Sequence, residues 1–334
     1  MILVFCAVLC NFAPMKTKTR RMPAEWEPQW AVQLTWPHAD TDWAPILPEI
    51  TAVYENMARE ISKRERLIVV DDIPHNDTWA RDHGFITVYG EQETERETIL
   101  LDFCFNGWGE KFAAEKDNAI NRHLYERGLV KGTYEPHLDF VLEGGSIESD
   151  GKGTIFTTKC CLMAPHRNQP LTQQEIGERL KLWLGAGRII WLEHGSLIGD
   201  DTDGHIDTLV RIAPEDTLLY TGGDDQHTDL LLMEQELKSL RTLDGQPYRL
   251  LKLPLPRPMY DGADRLPATY ANYLVINGAV LVPTYGQPDL DQEALHIIGE
   301  AFPQREIVGI DCQAVIKQHG SLHCCTMQYY GDEK

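Results

Sequence analysis

Gly278-Ala279-Val280-Leu281-Val282-Pro283-Thr284 is a short apolar run, and it has two near-copies upstream: Gly153-Thr154-Ile155-Phe156-Thr157-Thr158 and Asp216-Thr217-Leu218-Leu219-Tyr220-Thr221. Runs of this length bounded by turn residues read as buried strands. The three recur at intervals of roughly sixty residues, longer than solenoid periods but consistent with supersecondary units set around an axis. Outward from them, Leu67 to Val70, Thr98 to Phe105 and Arg188 to Leu192 have the same character. Apolar residues at helical spacing fill the intervals, most clearly over Ile46 to Lys63, Glu115 to Arg127, Thr172 to Gly185, Thr228 to Leu240 and Asp291 to Ala301. Strands alternating with helices predict an α/β fold, and no Pro/Ser-rich linker divides the chain after residue 22.

The 334 residues carry 51 acidic against 31 basic side chains, a formal charge of −20. Such a chain repels nucleic acid and anionic membrane, and it favours cationic small molecules or simple solubility. Eight cysteines stand at 6, 10, 104, 160, 161, 312, 324 and 325. The adjacent pairs cannot close an ordinary disulfide, so free thiols in a reducing, cytoplasmic setting are expected. With neither a Cys-x-x-Cys pair nor a His-Glu-x-x-His helix, no metal or cofactor is expected. Met1 to Ala13 is mostly apolar, and basic Lys16, Lys18, Arg20 and Arg21 follow it. That charge order is the reverse of a secretory signal, and a membrane span needs about twenty apolar residues. Residues 1–21 are therefore read as a non-native extension, with Met22 or Met15 as initiator, or else as a short anchoring leader. Residues 22–334 are read as one catalytic domain.

Four clusters offer chemistry. Gly320-Ser321-Leu322-His323-Cys324-Cys325-Thr326 sets a cysteine beside a histidine, although free cysteines are commonly just packed. Asp200-Asp201-Thr202-Asp203-Gly204-His205-Ile206-Asp207 supplies a base and a carboxylate. Alternation would put His205 and Asp207 on one side of an extended strand. Glu143-Gly144-Gly145-Ser146 and Trp79-Ala80-Arg81-Asp82-His83-Gly84 each present a carboxylate beside glycine. Alone, each has an ordinary explanation as a turn, a solvated acidic loop or a buried hydrogen-bonded pair. Together they suit cleavage of a C–N bond in a planar guanidinium. Carboxylates match its forked donors, Trp79 offers a cation-π face, and the cation would stabilise a facing thiolate.

In this order the clusters resemble the agmatine deiminase family and its relative, the bacterial-type peptidylarginine deiminases, within the guanidine-modifying pentein superfamily. The resemblance runs from Met22-Pro23-Ala24-Glu25-Trp26-Glu27-Pro28 through Trp79 to Asp82, Phe105-Asn106-Gly107-Trp108-Gly109, Glu143-Gly144-Gly145, Gly204 to Asp207 and Tyr270-Ala271-Asn272-Tyr273 to His323-Cys324-Cys325-Thr326. It implies a five-bladed α/β propeller of ββαβ units with the site on its axis. It makes Cys324 the nucleophile, His205 the general acid and base, and Glu143 the carboxylate orienting His205, with Asp82 and Asp207 gripping the guanidinium. Cys325 takes a variable position. The implied reaction is hydrolysis of agmatine to N-carbamoylputrescine and ammonia through an S-alkylthiouronium, and the relatives imply a homo-oligomer.

Arginine, peptidylarginine and agmatine differ only at the far end of the molecule. Agmatine ends in an ammonium that an acidic residue among Asp200, Asp201 and Asp203 could receive, with Asp201 the first choice. Thr208 after the His-x-Asp motif and the Tyr329-Tyr330 ending depart from the family pattern, leaving room for another alkylguanidine. Rival readings are amidino transfer to an amine and a polyamine-binding pentein without activity. A papain-like protease lacks support, because its cysteine signature and its cysteine-before-histidine order are missing.

Overall fold

The computed structural model describes residues 19–91 and 96–331. Among them, one sheet pattern occurs five times: a strand antiparallel to a second, which is parallel to a third reached through a helical crossover. The Thr154–Thr158 strand lies between Ile147–Ser149 and Arg188–Leu192, and the Gln173–Leu184 helix makes the crossover. Thr217–Thr221 lies between Val210–Ala213 and Arg249–Leu253, and Ala279–Thr284 between Leu274–Ile276 and Glu306–Asp311. Arg96–Cys104 sits between Ile86–Glu91 and Thr133–Val141. The remaining sheet draws on both ends of the chain: Thr326–Tyr330 pairs antiparallel with Gln29–Thr35, which is parallel to Arg66–Val70. The three look-alike runs in the sequence are thus the middle strands of three equivalent sheets.

The crossovers form because their sequences are amphipathic. Leu47–Ser62 buries Ile50, Val53, Tyr54, Met57 and Ile61 along one face, each contributing about 1.5–3 kcal/mol of apolar burial. Gln173–Leu184 starts at a capping box in which Thr172 and Glu175 satisfy each other's backbone N–H groups, and it ends on Gly185 at φ 68°. The largest core cluster runs from Val32 and Leu34 through the apolar strand Ala279–Thr284 to Leu322 and Cys325. It packs the C-terminal segment against the first strands of the chain.

Each third strand leads into the next sheet through a connection, and the five connections converge. They carry Asp82, the Gly144–Ser146 turn, the Ile206–Thr208 turn, Asn272 and Cys324. Thr19–Arg21 pair with Ile86–Glu91 as an added edge strand, on the N-terminal side of the Met22 boundary expected from the sequence. Residues 1–18, most of the expected extension, lie outside the described residues. No helix among the described residues is long and apolar enough to cross a membrane.

Candidate active site

Cys324 lies at the inner end of a cavity of ≈ 390 Å³ whose wall also includes Trp79, Asp82 and Trp108. Asp42, Asp77, Asp200 and Asp201 line the cavity as well, and among the described residues no lysine or arginine does. Asp42 and Phe112 are exposed at its mouth, whereas Asp82 and Cys324 are buried.

Asp82 is carried by the four-residue helix Ala80–His83. The Arg81 amide donates to the Cys324 carbonyl at 3.1 Å, tying this helix to the cysteine segment. The Arg81 guanidinium turns away to Gln328, so Arg81 and Asp82 are a buried pair with separate partners rather than a solvated one. Asp82 accepts from the Gly145 amide at 3.1 Å and from Trp108 Nε1 at 3.0 Å. Trp108 reaches it from a left-handed stretch in which Gly107, Trp108, Gly109 and Glu110 all have positive φ. Both glycines of Glu143-Gly144-Gly145 are there for space. A Cβ on Gly144 would lie 2.3 Å from the Arg81 carbonyl, and one on Gly145 would lie 2.7 Å from His205 Nδ1 and 2.9 Å from Asp82 Oδ1. Gly320 is equally constrained, since its Cβ would meet the Trp79 ring at 2.2 Å.

His205 and Asp207 do converge on the site, but not from an extended strand. Asp203 and Gly204 adopt positive φ, and Ile206–Thr208 is a single 3₁₀ turn closed by Thr208 Oγ1 donating to the His205 carbonyl at 2.8 Å. The strand begins only at Val210, after both side chains are placed. His205 is fully buried, 3.6 Å from Asp82 through Nδ1 and close to the Cys161 thiol, and among the described residues neither ring nitrogen has a nitrogen or oxygen hydrogen-bond partner. Glu143 lies near His205 and Cys161 but hydrogen-bonds to Arg167, whose Nε donates at 3.0 Å. The direct orienting bond expected from Glu143 to His205 is therefore not formed, because a buried guanidinium takes that carboxylate. Arg167 also holds Asp203 at 2.6 Å, and Lys111 holds it at 2.7 Å. Asp203 is thereby neutralised away from the cavity wall, while Asp200 and Asp201 stay on it.

Asp207 is fixed from behind. His323 Nδ1 donates to its Oδ2 at 2.7 Å, while Oδ1 has no partner although fully buried. His323 Nε2 lies 3.1 Å from Glu25, and Arg211 bonds Glu25 and Glu148. The Cys324 thiol is 3.4 Å from Asn272 Oδ1 and 3.9 Å from Asp207 Oδ2. Cys325 is directed elsewhere, toward the Ser321 carbonyl at 3.4 Å.

Burial, with Asp207 and Asp82 acting in the same direction, pushes the Cys324 thiol well above its ordinary range. Burial pulls the His205 imidazole down, but Asp82, Cys161 and Glu143 outweigh it and hold His205 well above its usual value. Burial would also raise Asp207, yet the His323 hydrogen bond keeps it below the usual carboxylate range. Asp82 accepts only from neutral N–H donors, and although the His205 imidazole 3.6 Å away pulls it down, burial outweighs that and lifts it to about 6. The site at rest thus holds a neutral thiol, a charged imidazole and at least one ionised carboxylate, an arrangement suited to receive a cation.

Among the described residues two trios of side chains have metal-like spacing, Glu143 with Cys161 and His205, and Glu25 with Glu148 and His323. Each already contains a guanidinium, Arg167 in the first and Arg211 in the second. A divalent ion would have to displace it. Arg167, Asn272, Asp42 and Asp77 are absent from the residues picked out as functional in the sequence. Only Asn272 stood in a recognised motif, without a role; the other three are single polar letters in loops, with no spacing to mark them.

A family model described as Porphyromonas-type peptidyl-arginine deiminase matches residues 21–329. A crystal structure named for a candidate arginine deiminase of Porphyromonas gingivalis is 50% identical, with TM-score 0.86, covering 93% of this chain and 98% of its own. The C. jejuni agmatine deiminase, in a form with one cysteine replaced by serine and substrate bound, is 34% identical with TM-score 0.86 over 94% and 97% of the two chains. The agmatine deiminase of Pseudomonas aeruginosa (strain LESB58) is 31% identical over 92% of this chain and 95% of its own.

Proposed function

The chain belongs to the Porphyromonas-type peptidyl-arginine deiminase family, and from that membership and the site's geometry we propose that it hydrolyses agmatine to N-carbamoylputrescine and ammonia. Hydrolysis of a guanidine C–N bond is the reaction named for its relatives. The observation that carries the choice of agmatine is the cavity wall, where the described residues put five aspartates and no lysine or arginine around a buried thiol. Such a wall attracts a substrate with a cation at each end, and it repels the α-carboxylate of free arginine.

In this reading the guanidinium enters between Asp82 and the unpartnered Oδ1 of Asp207, with Trp79 and Trp108 beside it. Its charge offsets the carboxylate field that holds Cys324 protonated, so the thiol releases its proton to solvent through the cavity mouth as substrate binds, leaving His205 charged. The thiolate attacks the guanidinium carbon, and His205 gives its proton to the departing nitrogen, which leaves as ammonia. An S-alkylthiouronium remains on Cys324. Neutral His205 then takes a proton from the water that attacks the same carbon, and collapse expels the Cys324 sulfur, the second proton of that water passing to it to restore the thiol as the ureido product leaves. Glu143 acts on His205 through the local field and through Arg167, and Asp201 receives the distal ammonium. The five matching sheets and their convergent connections support reading the fold as a five-bladed α/β propeller of ββαβ units, with this site on its axis.

The test is ammonia release from agmatine, free arginine and a peptide ending in arginine. Like-charge repulsion of a carboxylate at the wall costs several kcal/mol, so kcat/KM for agmatine should exceed that for arginine by roughly 100-fold or more. Equal or better turnover of arginine, or of the peptide, would remove agmatine as the substrate. Release of a new guanidine on adding an amine would instead favour amidino transfer.

A further inference from the structure

The His205 imidazole is buried and charged, yet among the described residues its ring nitrogens have no nitrogen or oxygen hydrogen-bond partner. Buried charged groups are ordinarily hydrogen-bonded, so this ring calls for an acceptor. Glu143, the acceptor expected from the sequence, is taken by Arg167. What stands in the gap is sulfur: Cys161 Sγ, a Glu143 carboxylate oxygen and a His205 ring nitrogen lie within 4.8 Å of one another, and all three residues are fully buried. Hydrogen bonds hold the two turns together. Cys161 sits in the short helix Lys159–Leu162, directly after the strand Thr154–Thr158, and its amide donates to Thr158 Oγ1 at 3.3 Å. The same hydroxyl donates to the Gly204 carbonyl, next to His205, at 2.6 Å. Arg167 donates to the Thr202 carbonyl at 2.8 Å, and Thr202 Oγ1 accepts from the His205 amide at 3.1 Å. The turn that carries the imidazole is thus tied both to the Cys161 helix and to the guanidinium that holds Glu143.

We propose that Cys161 is a positioning residue for the reaction, whose sulfur accepts the His205 N–H while its S–H donates to Glu143, so that the link between histidine and glutamate is made through a thiol. Sulfur is a weak acceptor and S–H a weak donor. That suits a ring which must give up and regain a proton in every turnover, because a carboxylate bonded to it directly would hold the proton harder. Burial pushes the Cys161 thiol above its ordinary range, although Arg167 and His205 pull it down, so the group stays a thiol with both a donor and an acceptor to offer. The charged and titratable groups facing the ring are Asp82, Cys161, Glu143 and Asp207, with Arg167 beyond Glu143. Asp82 and Asp207 are committed to the guanidinium, which leaves the sulfur to fix the direction of the imidazole before and after substrate enters.

This inference rests on His205 being the general acid and base, and a readout that needs no turnover separates the two ideas. NMR titration of the isotope-labelled His205 ring in the free protein should give a titration point lower by about one pH unit in Cys161→Ala, because the charged form loses its acceptor. Cys161→Ser keeps an acceptor and a donor at the same place, so its titration point should stay at or above that of the unaltered protein. In turnover of agmatine, the basic limb of kcat, which reports the charged acid in the complex, should move in the same sense. A loosened imidazole should also lower kcat in Cys161→Ala by roughly 10- to 100-fold, with serine restoring most of it. Cys161→Val removes the acceptor without opening a cavity, and it takes the place of alanine should that variant not fold. A His205 titration point unmoved without the acceptor, a fall in serine equal to that in alanine, or full kcat in alanine would overturn the proposal. Failure of the His205 reading itself would appear separately, as full activity in His205→Ala.

Discussion

Asp82 and Asp207 sit in one buried site and share one proposed task, yet they hold protons differently for reasons visible in their hydrogen bonds. Asp207 receives an imidazole N–H from His323 at 2.7 Å and lies below the usual carboxylate range. Asp82 receives only the neutral N–H groups of Gly145 and Trp108, and burial lifts it to about 6. Asp82 is therefore ionised at neutral pH and loses its charge first on acidification. The sign for catalysis follows: below about pH 6 the site can no longer grip a cation with both carboxylates. The profile of kcat/KM, which reports the free protein, should fall about tenfold per pH unit on that acid limb. A limb near the ordinary aspartate value would mean that Asp82 does not carry this contact. The sign for stability is opposite, since a carboxyl with a raised folded-state pKa contributes stability at low pH and loses it as pH rises through about 6. Melting temperature should thus rise more on adding an unreactive alkylguanidine at pH 7.5 than at pH 5.

The middle strands Thr154–Thr158, Thr217–Thr221 and Ala279–Thr284 were legible in the sequence because each is buried along most of its length and reads as an apolar run. Arg188–Leu192, the partner of Thr154–Thr158, was legible as an apolar run too, but two strands of the other sheets were not. Gln29–Thr35 is wholly buried but carries Gln29, Gln33 and Thr35, which face polar partners such as Glu25, His83 and Tyr329. Thr133–Val141 is largely exposed and contains Pro136, so it shows neither a run nor an alternation. The turn at His205 was misread as a strand because the two-residue spacing of His205 and Asp207 fits both, and only the positive φ of Asp203 and Gly204 distinguishes them. The Glu143-Gly144-Gly145 element was found by its letters, and its physical reason is the lack of space around both glycines. Gly145→Ala places a methyl group against His205, Asp82 and Asp207 at once, far closer than van der Waals contact. Overpacking of this kind costs about 1–3 kcal/mol, so the variant should lower the melting temperature and depress kcat/KM by roughly 100-fold. Retained activity would show that the turn has room the distances deny.

At the scale of the whole molecule, the nucleophile segment is held by the sheet that joins the two ends of the chain. Thr326–Tyr330, directly after Cys325, pairs with Gln29–Thr35 from the opposite end. Global charge adds a long-range effect: a chain of formal charge −20 with an aspartate-lined mouth should draw in a cationic substrate faster than neutral diffusion allows. Stopped-flow or steady-state kcat/KM for agmatine should then fall several-fold as ionic strength rises from 0.01 to about 0.2 M, whereas kcat should hardly change. A flat response would assign recognition to short-range contacts alone. The central claim is that Cys324, and not its neighbour Cys325, forms a covalent bond to the guanidine carbon. It is tested most directly by acid-quenching the protein during agmatine turnover, weighing the intact chain and mapping the adduct. The predicted result is a mass gain of agmatine less ammonia on Cys324, present in Cys325→Ser and absent from an inactive Cys324→Ser. An adduct on Cys325, or ammonia release undiminished in Cys324→Ser, would contradict it.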